Sequence, residues 1–166
     1  WFGPKGRWRI PARGGRLACR VNPIERPRYS VEVQGGVATL VVGAPDWPSL
    51  LSTAVLAVSD LIVPIGRFET WTARRVSARG ADTSATLHRF LESALLDWTE
   101  GGFLPSLVEL ERAEAVRAGG IFRGGCLDPD GPRPAIDPTG LVPDGTVVTE
   151  GGPAAPWRAR LRLTLA

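Results

Sequence analysis

Polar and apolar positions along the chain fall into two periods that alternate with one another. Tyr29, Val31 and Val33 occur at every second residue, the spacing of a strand with one buried face. Gly35 and Gly36 interrupt it, and Val37 to Val42 continue as a nearly unbroken apolar run, which predicts a hairpin turned at the two glycines. From Asp46 the period lengthens, with Leu51, Val55, Val58 and Ile62 along one helical face. This predicts a helix over Pro48 to Val63, capped by Asp46, carrying Pro48 in its first turn and stopped by Pro64 and Gly66. Arg67 to Gly80 is rich in β-branched and aromatic residues and reads as a strand. A second helix is predicted over Ser84 to Thr99, capped by Asp82 or Ser84, with Leu87, Leu91, Leu95 and Trp98 on its buried stripe and Gly101 and Gly102 closing it.

The segment from Leu104 to Gly125 fits either a helix, by its Glu, Arg and Ala content, or two strands broken at Gly119 and Gly120. Its β-rich surroundings argue for strands. Cys126 to Gly145 holds five prolines and reads as a long loop. The final strands are Thr146 to Thr149 and Trp157 to Leu165; in the latter Ala159, Leu161, Leu163 and Leu165 alternate with Arg158, Arg160, Arg162 and Thr164. The order ββαβαββββ predicts an α+β fold, a mainly antiparallel sheet or sandwich with two helices packed on one face. Leu51, Val55, Val58, Leu91, Leu95 and Trp98 are the expected core.

With 166 residues, 43% hydrophobic and 22% charged, the chain can form one domain with a real core. No stretch reaches the roughly 18 apolar residues of a spanning helix, and no apolar N-terminal segment reads as a signal peptide. A cytoplasmic protein is therefore expected. Cys19 and Cys126, far apart and without a C-x-x-C neighbour, read as two free thiols. The absence of Met and the start at Trp1 suggest a piece of a longer polypeptide.

Charge divides the chain in two. Residues 1–28 hold Lys5 and seven arginines against Glu25, a balance of +7, while the whole chain carries only +3. A basic arm or linker over residues 1–28 is thus set off from a body over residues 29–166. Lys5, Arg7, Trp8, Arg9, Arg13, Arg16 and Arg20 mix cations with stackable rings, a combination able to track RNA or another acidic surface. A solvated linker is the plainer reading of the same residues.

Four phrases of the body, in order, resemble the archease family, the small proteins that assist the 3′-phosphate RNA ligase of tRNA splicing. They are "AVSDLIV", "HRFLESALLDW", "TEGGFLP" and "PWRARLRLTL", and the resemblance runs from Tyr29 to Ala166. It implies the archease α+β fold. It also implies a place for a divalent-cation site, which archeases build from the carboxylate of an "HTAD" phrase and an Asp near the end of the closing strand. On this sequence the "HTAD" positions read Gln34, Gly35, Gly36 and Val37, and the closing Asp falls on Thr164 or Leu165. The Lys and His of the family's "VKAVTYH" stretch fall on Thr139 and Asp144. A hard cation gives up its water only to convergent oxygen ligands, usually charged ones. Val37 and Thr164 supply no such charge, so no metal and no cofactor is expected.

The remaining polar residues suggest no catalytic set. Asp128, Asp130, Asp137 and Asp144 lie among prolines and glycines without the spacing of a calcium loop. His88, the single histidine, reads as a solvated helix residue. Asp60, at the Asp of the family's "FDLM" phrase, reads as a cap or hydrogen-bond acceptor, and Asp97 as helix surface. The reading that follows is a non-enzymatic, archease-like protein-interaction or regulatory module, without a membrane association, that has lost its cation site. The alternatives are a working cofactor of the tRNA-splicing RNA ligase, with a cation site rebuilt from Asp128 or Asp144, and a nucleic-acid-binding module that uses the basic arm.

Overall fold

The computed structural model describes residues 27–65, 72–128, 130, 131 and 133–166. Its elements run β1 (Tyr29–Gln34), β2 (Val37–Ala44), α1 (Trp47–Ile62), β3 (Thr72–Arg79), α2 (Thr83–Gly101), β4 (Phe103–Glu114), β5 (Arg117–Cys126), β6 (Pro138–Leu141), β7 (Val147–Thr149) and β8 (Trp157–Leu165). This is the expected α+β architecture. The strands form two antiparallel sheets, one of five strands in the order β1-β2-β8-β6 with β7 also on β8, and one of three in the order β3-β5-β4. Both helices touch both sheets: α1 packs on β4, β2 and β8, and α2 on β3, β4, β5, β6 and β7.

The local signals act as the sequence suggests. Gly35 and Gly36 adopt φ of 58° and 76°, the left-handed pair that a two-residue hairpin turn requires. Asp46 accepts the Ser49 N–H at 2.8 Å and Asp82 the Ala85 N–H at 2.8 Å, so both helices begin with a carboxylate on an otherwise orphaned donor. Gly102 closes α2 in the left-handed region. Leu51, Val55, Val58, Leu91 and Leu95 are buried in one cluster with Leu40 and Val42 of β2, Val76 of β3, Phe122 of β5 and Leu161 and Leu163 of β8. Phe90 of α2 meets Phe122 edge-on at 5.0 Å between ring centres.

Four placements differ from expectation. Gly119 and Gly120 do not break the β4–β5 pair; the chain turns at Ala115 and Val116, and both glycines lie within β5. Their neighbour strand explains them, because β4 shifts register between Pro105 and Leu107 and between Leu110 and Arg112. Those irregularities bring its backbone over β5, so that a Cβ on Gly120 would press into the Glu109 carbonyl oxygen and one on Gly124 into that of Leu104. The proline-rich loop contains β6, which pairs with the end of β8; its short run carries no alternation long enough to read. Trp98 is half-buried instead of fully enclosed, with its indole N–H donating to Asp137 at 3.1 Å. His88 is not solvated, as described below. Residues 66–71 of the strand expected from Arg67 lie outside the described residues.

Candidate functional site

In the register of the five-stranded sheet, Val37 of β2 is the direct partner of Thr164 of β8. The two positions at which the family resemblance would place carboxylates are therefore side by side. Alternation explains which way they face: Ala38, Leu40, Leu161 and Leu163 are buried, so Val37 and Thr164, one residue out of phase, lie on the outer side of the sheet. Around them the Leu165 N–H donates to the Gly36 carbonyl at 2.9 Å, and the Thr139 hydroxyl to that of Thr164 at 3.3 Å. A valine, a threonine hydroxyl and carbonyls already engaged do not make the charged oxygen set that a divalent cation requires. The donor chemistry does not fit the ion.

The acidic residues of the proline-rich segment are divided among separate places. Asp128 accepts the Asp130 N–H at 2.9 Å in the turn expected for Asp beside Gly and Pro. It lines one cavity with Asp137, Glu100 and Arg133, whereas Asp144 lines another with Asp82, His88 and Glu92. Asp128 and Asp144, the carboxylates considered for a rebuilt cation site, line different cavities. Asp60 fulfils its expected bonding role, accepting the Tyr29 hydroxyl at 3.1 Å and the Ile65 N–H at 2.9 Å. It thereby ties the end of α1 to β1.

His88 joins residues distant in sequence. Its Nδ1 lies 3.0 Å from the Thr146 hydroxyl and its Nε2 3.4 Å from a Glu92 carboxylate oxygen, with the ring side chain 20% exposed. The hydroxyl–imidazole–carboxylate order resembles a relay, with Thr146 buried at the wall of the cavity that His88, Glu92 and Asp144 also line. The Val148 N–H donates to the Ser84 hydroxyl at 2.9 Å alongside it. Together these bonds clamp the strand end at β7 onto α2. Only the spatial return of residues 142–148 to α2 reveals the role, and no periodic signal marks that return.

The sheet surface beside Val37 and Thr164 is strongly basic. Arg158, Arg160 and Arg162 precede Thr164 on the same outer side of β8 and are all exposed, and none forms an ion pair among the described residues. Among carboxylates, burial pushes that of Asp97 on α2 above its usual range; the Arg74 charge opposes and Glu100 reinforces this rise. The arm residues Lys5, Arg7, Trp8, Arg9, Arg13, Arg16 and Arg20 lie outside the described residues, as does Cys19. Cys126 is an exposed free thiol. No described helix is long and apolar enough to cross a membrane.

No protein-family model matches the chain, and no curated protein is similar to it. Among solved structures, the solution structure of Methanobacterium thermoautotrophicum protein 1598 is similar, with a TM-score of 0.67 at 16% identity. The likeness covers 82% of this chain and 98% of that one. At that identity the likeness establishes a shared fold.

Proposed function

We propose that this chain is an archease-like, non-enzymatic interaction module in which the scaffold is kept and the divalent-cation site is lost. The observation that carries this reading is the Val37–Thr164 pairing: the register brings together the two positions that would need carboxylates, and neither has one. Arg162, the next outward residue on β8, adds positive charge beside the place where a cation would have to sit. The order of elements and the phrases from "AVSDLIV" to "PWRARLRLTL" support the family link. The separation of Asp128 from Asp144 weighs against a rebuilt site and so against a working ligase cofactor. Its role is then to bind a protein partner.

The test is calorimetric titration with manganese, magnesium and calcium, joined to an RNA-ligation assay. No saturable heat of cation binding is expected, and a 3′-phosphate RNA ligase should join its ends at the same rate with and without this protein. Cation binding that stimulates ligation would overturn the reading and restore the ligase-cofactor function.

A further inference from the structure

The alternation that makes β8 a strand also makes it a row of cations. Arg158, Arg160 and Arg162 stand at successive outward positions, roughly 6.5 to 7 Å apart along the strand. Their cross-strand neighbours are short and uncharged: Gly43, Val41 and Thr39 on β2, and Thr149 and Val147 on β7. The acidic side chains nearest in register are Glu32, beyond Thr39 on β1, and Asp144 and Glu150, which flank β7 in sequence. None of the three is paired with the row. Like charges repeated along one strand face repel one another unless an outside anion compensates them.

We propose that this outer face docks on the phosphate backbone of a nucleic-acid duplex, one phosphate to each arginine, without reading the bases. A regularly spaced polyanion complements a regularly spaced row of guanidinium groups, which favour bidentate contact with phosphate. Among the described residues the face offers no aromatic ring on which unpaired bases would stack: Trp157 packs on Trp47 at 5.7 Å between centres, and Tyr29 bonds to Asp60. A duplex presents its phosphates without needing such a platform, and a single strand binds best with one. The adjoining chain has the same sign. Tyr29 pairs with Val42, which pairs with Ala159 beside Arg158, so residues 1–28, with their balance of +7, join the sheet at the Arg158 end of the row.

The test uses the full chain and a short labelled DNA duplex of mixed sequence, with affinity measured by fluorescence anisotropy across a series of salt concentrations. Each of Arg158→Gln, Arg160→Gln and Arg162→Gln should reduce the slope of log K against log salt by about 0.9, and the triple variant by about 2.7. Glu32→Gln should tighten binding. Arg75→Gln with Arg123→Gln, on the other sheet, should leave the slope unchanged. The exposed sites let the variants keep the native melting curve, which checks that they fold. An unaltered slope in the triple variant would overturn the proposal by assigning duplex binding to residues 1–28. Preferential binding of polyglutamate over the duplex would overturn it in favour of an acidic protein.

Discussion

The outer faces of the two sheets both carry arginines, and they treat them in opposite ways. On the three-stranded sheet Arg75 meets Glu111 at 2.9 Å, Arg123 meets Glu109 at 3.0 Å and Arg112 approaches Glu114 at 3.7 Å. Arg117 stands opposite both Glu114 and Arg79 in the same ladders. Positive and negative residues are interleaved there, and each carboxylate lowers the cost of the charges beside it. On the five-stranded sheet Arg158, Arg160 and Arg162 have only Gly, Val and Thr across the ladder. A surface needed only for solubility is well served by the first arrangement. The second leaves its charge free for something outside the chain, on the same outer face as the Val37–Thr164 pair.

The largest effect that separates the faces should come from the interior of β8. Leu161 is fully buried between two exposed arginines, and Leu161→Ala should cost roughly 2 to 5 kcal/mol, whereas Arg160→Gln should stay within about 0.5 kcal/mol. Chemical denaturation of the two variants measures the contrast, and equal losses would break it. On the other sheet, Gly124→Ala forces a Cβ against the Leu104 carbonyl and should cost about 1 to 3 kcal/mol. A neutral result would mean that β4 does not press on β5 as described.

Smaller effects sharpen the electrostatic difference. A double-mutant cycle on Arg75 and Glu111 should show a coupling of about 0.2 to 1 kcal/mol, as exposed pairs do. The same cycle on Arg160 and Glu32 should show none. The smallest effect belongs to Asp97, beside Arg74 of β3. Its carboxyl titrates above the usual 3.8 in the folded chain, so between 3.8 and the folded value the native state holds more protons than the unfolded one. Stability should therefore fall slightly as pH rises through that window, and Asp97→Asn should remove the slope in melts recorded across acid pH.

Where periodicity was long, the sequence was legible. Both helices, their aspartate caps, the Gly35–Gly36 turn and β8 are written in spacing and cap chemistry that act over a few residues. The turn at Ala115–Val116 was not legible, because Gly119 and Gly120 look like punctuation. Their actual reason is the close passage of β4, a contact between strands that no local pattern encodes. His88 was missed for a related cause: its partner Thr146 lies 58 residues away. Of the site, the residues at the Val37 and Thr164 positions could be read from the family resemblance. Their mutual placement, and the short uncharged residues directly across the ladder from the arginine row, required the register.

A paired thermal melt of the unmodified chain tests most directly the claim that this corner of the five-stranded sheet serves anions and not cations. A ligand that binds only the native state raises stability by about 2.7 kcal/mol at a hundredfold excess over its dissociation constant, which a melt reads as a shift in midpoint. At low salt, a DNA duplex should raise the melting temperature in a saturable way that is lost in the triple variant of Arg158, Arg160 and Arg162, while millimolar manganese should leave it where chelator leaves it. The reverse pattern, a chelator-sensitive rise with manganese and none with the duplex, would contradict the account.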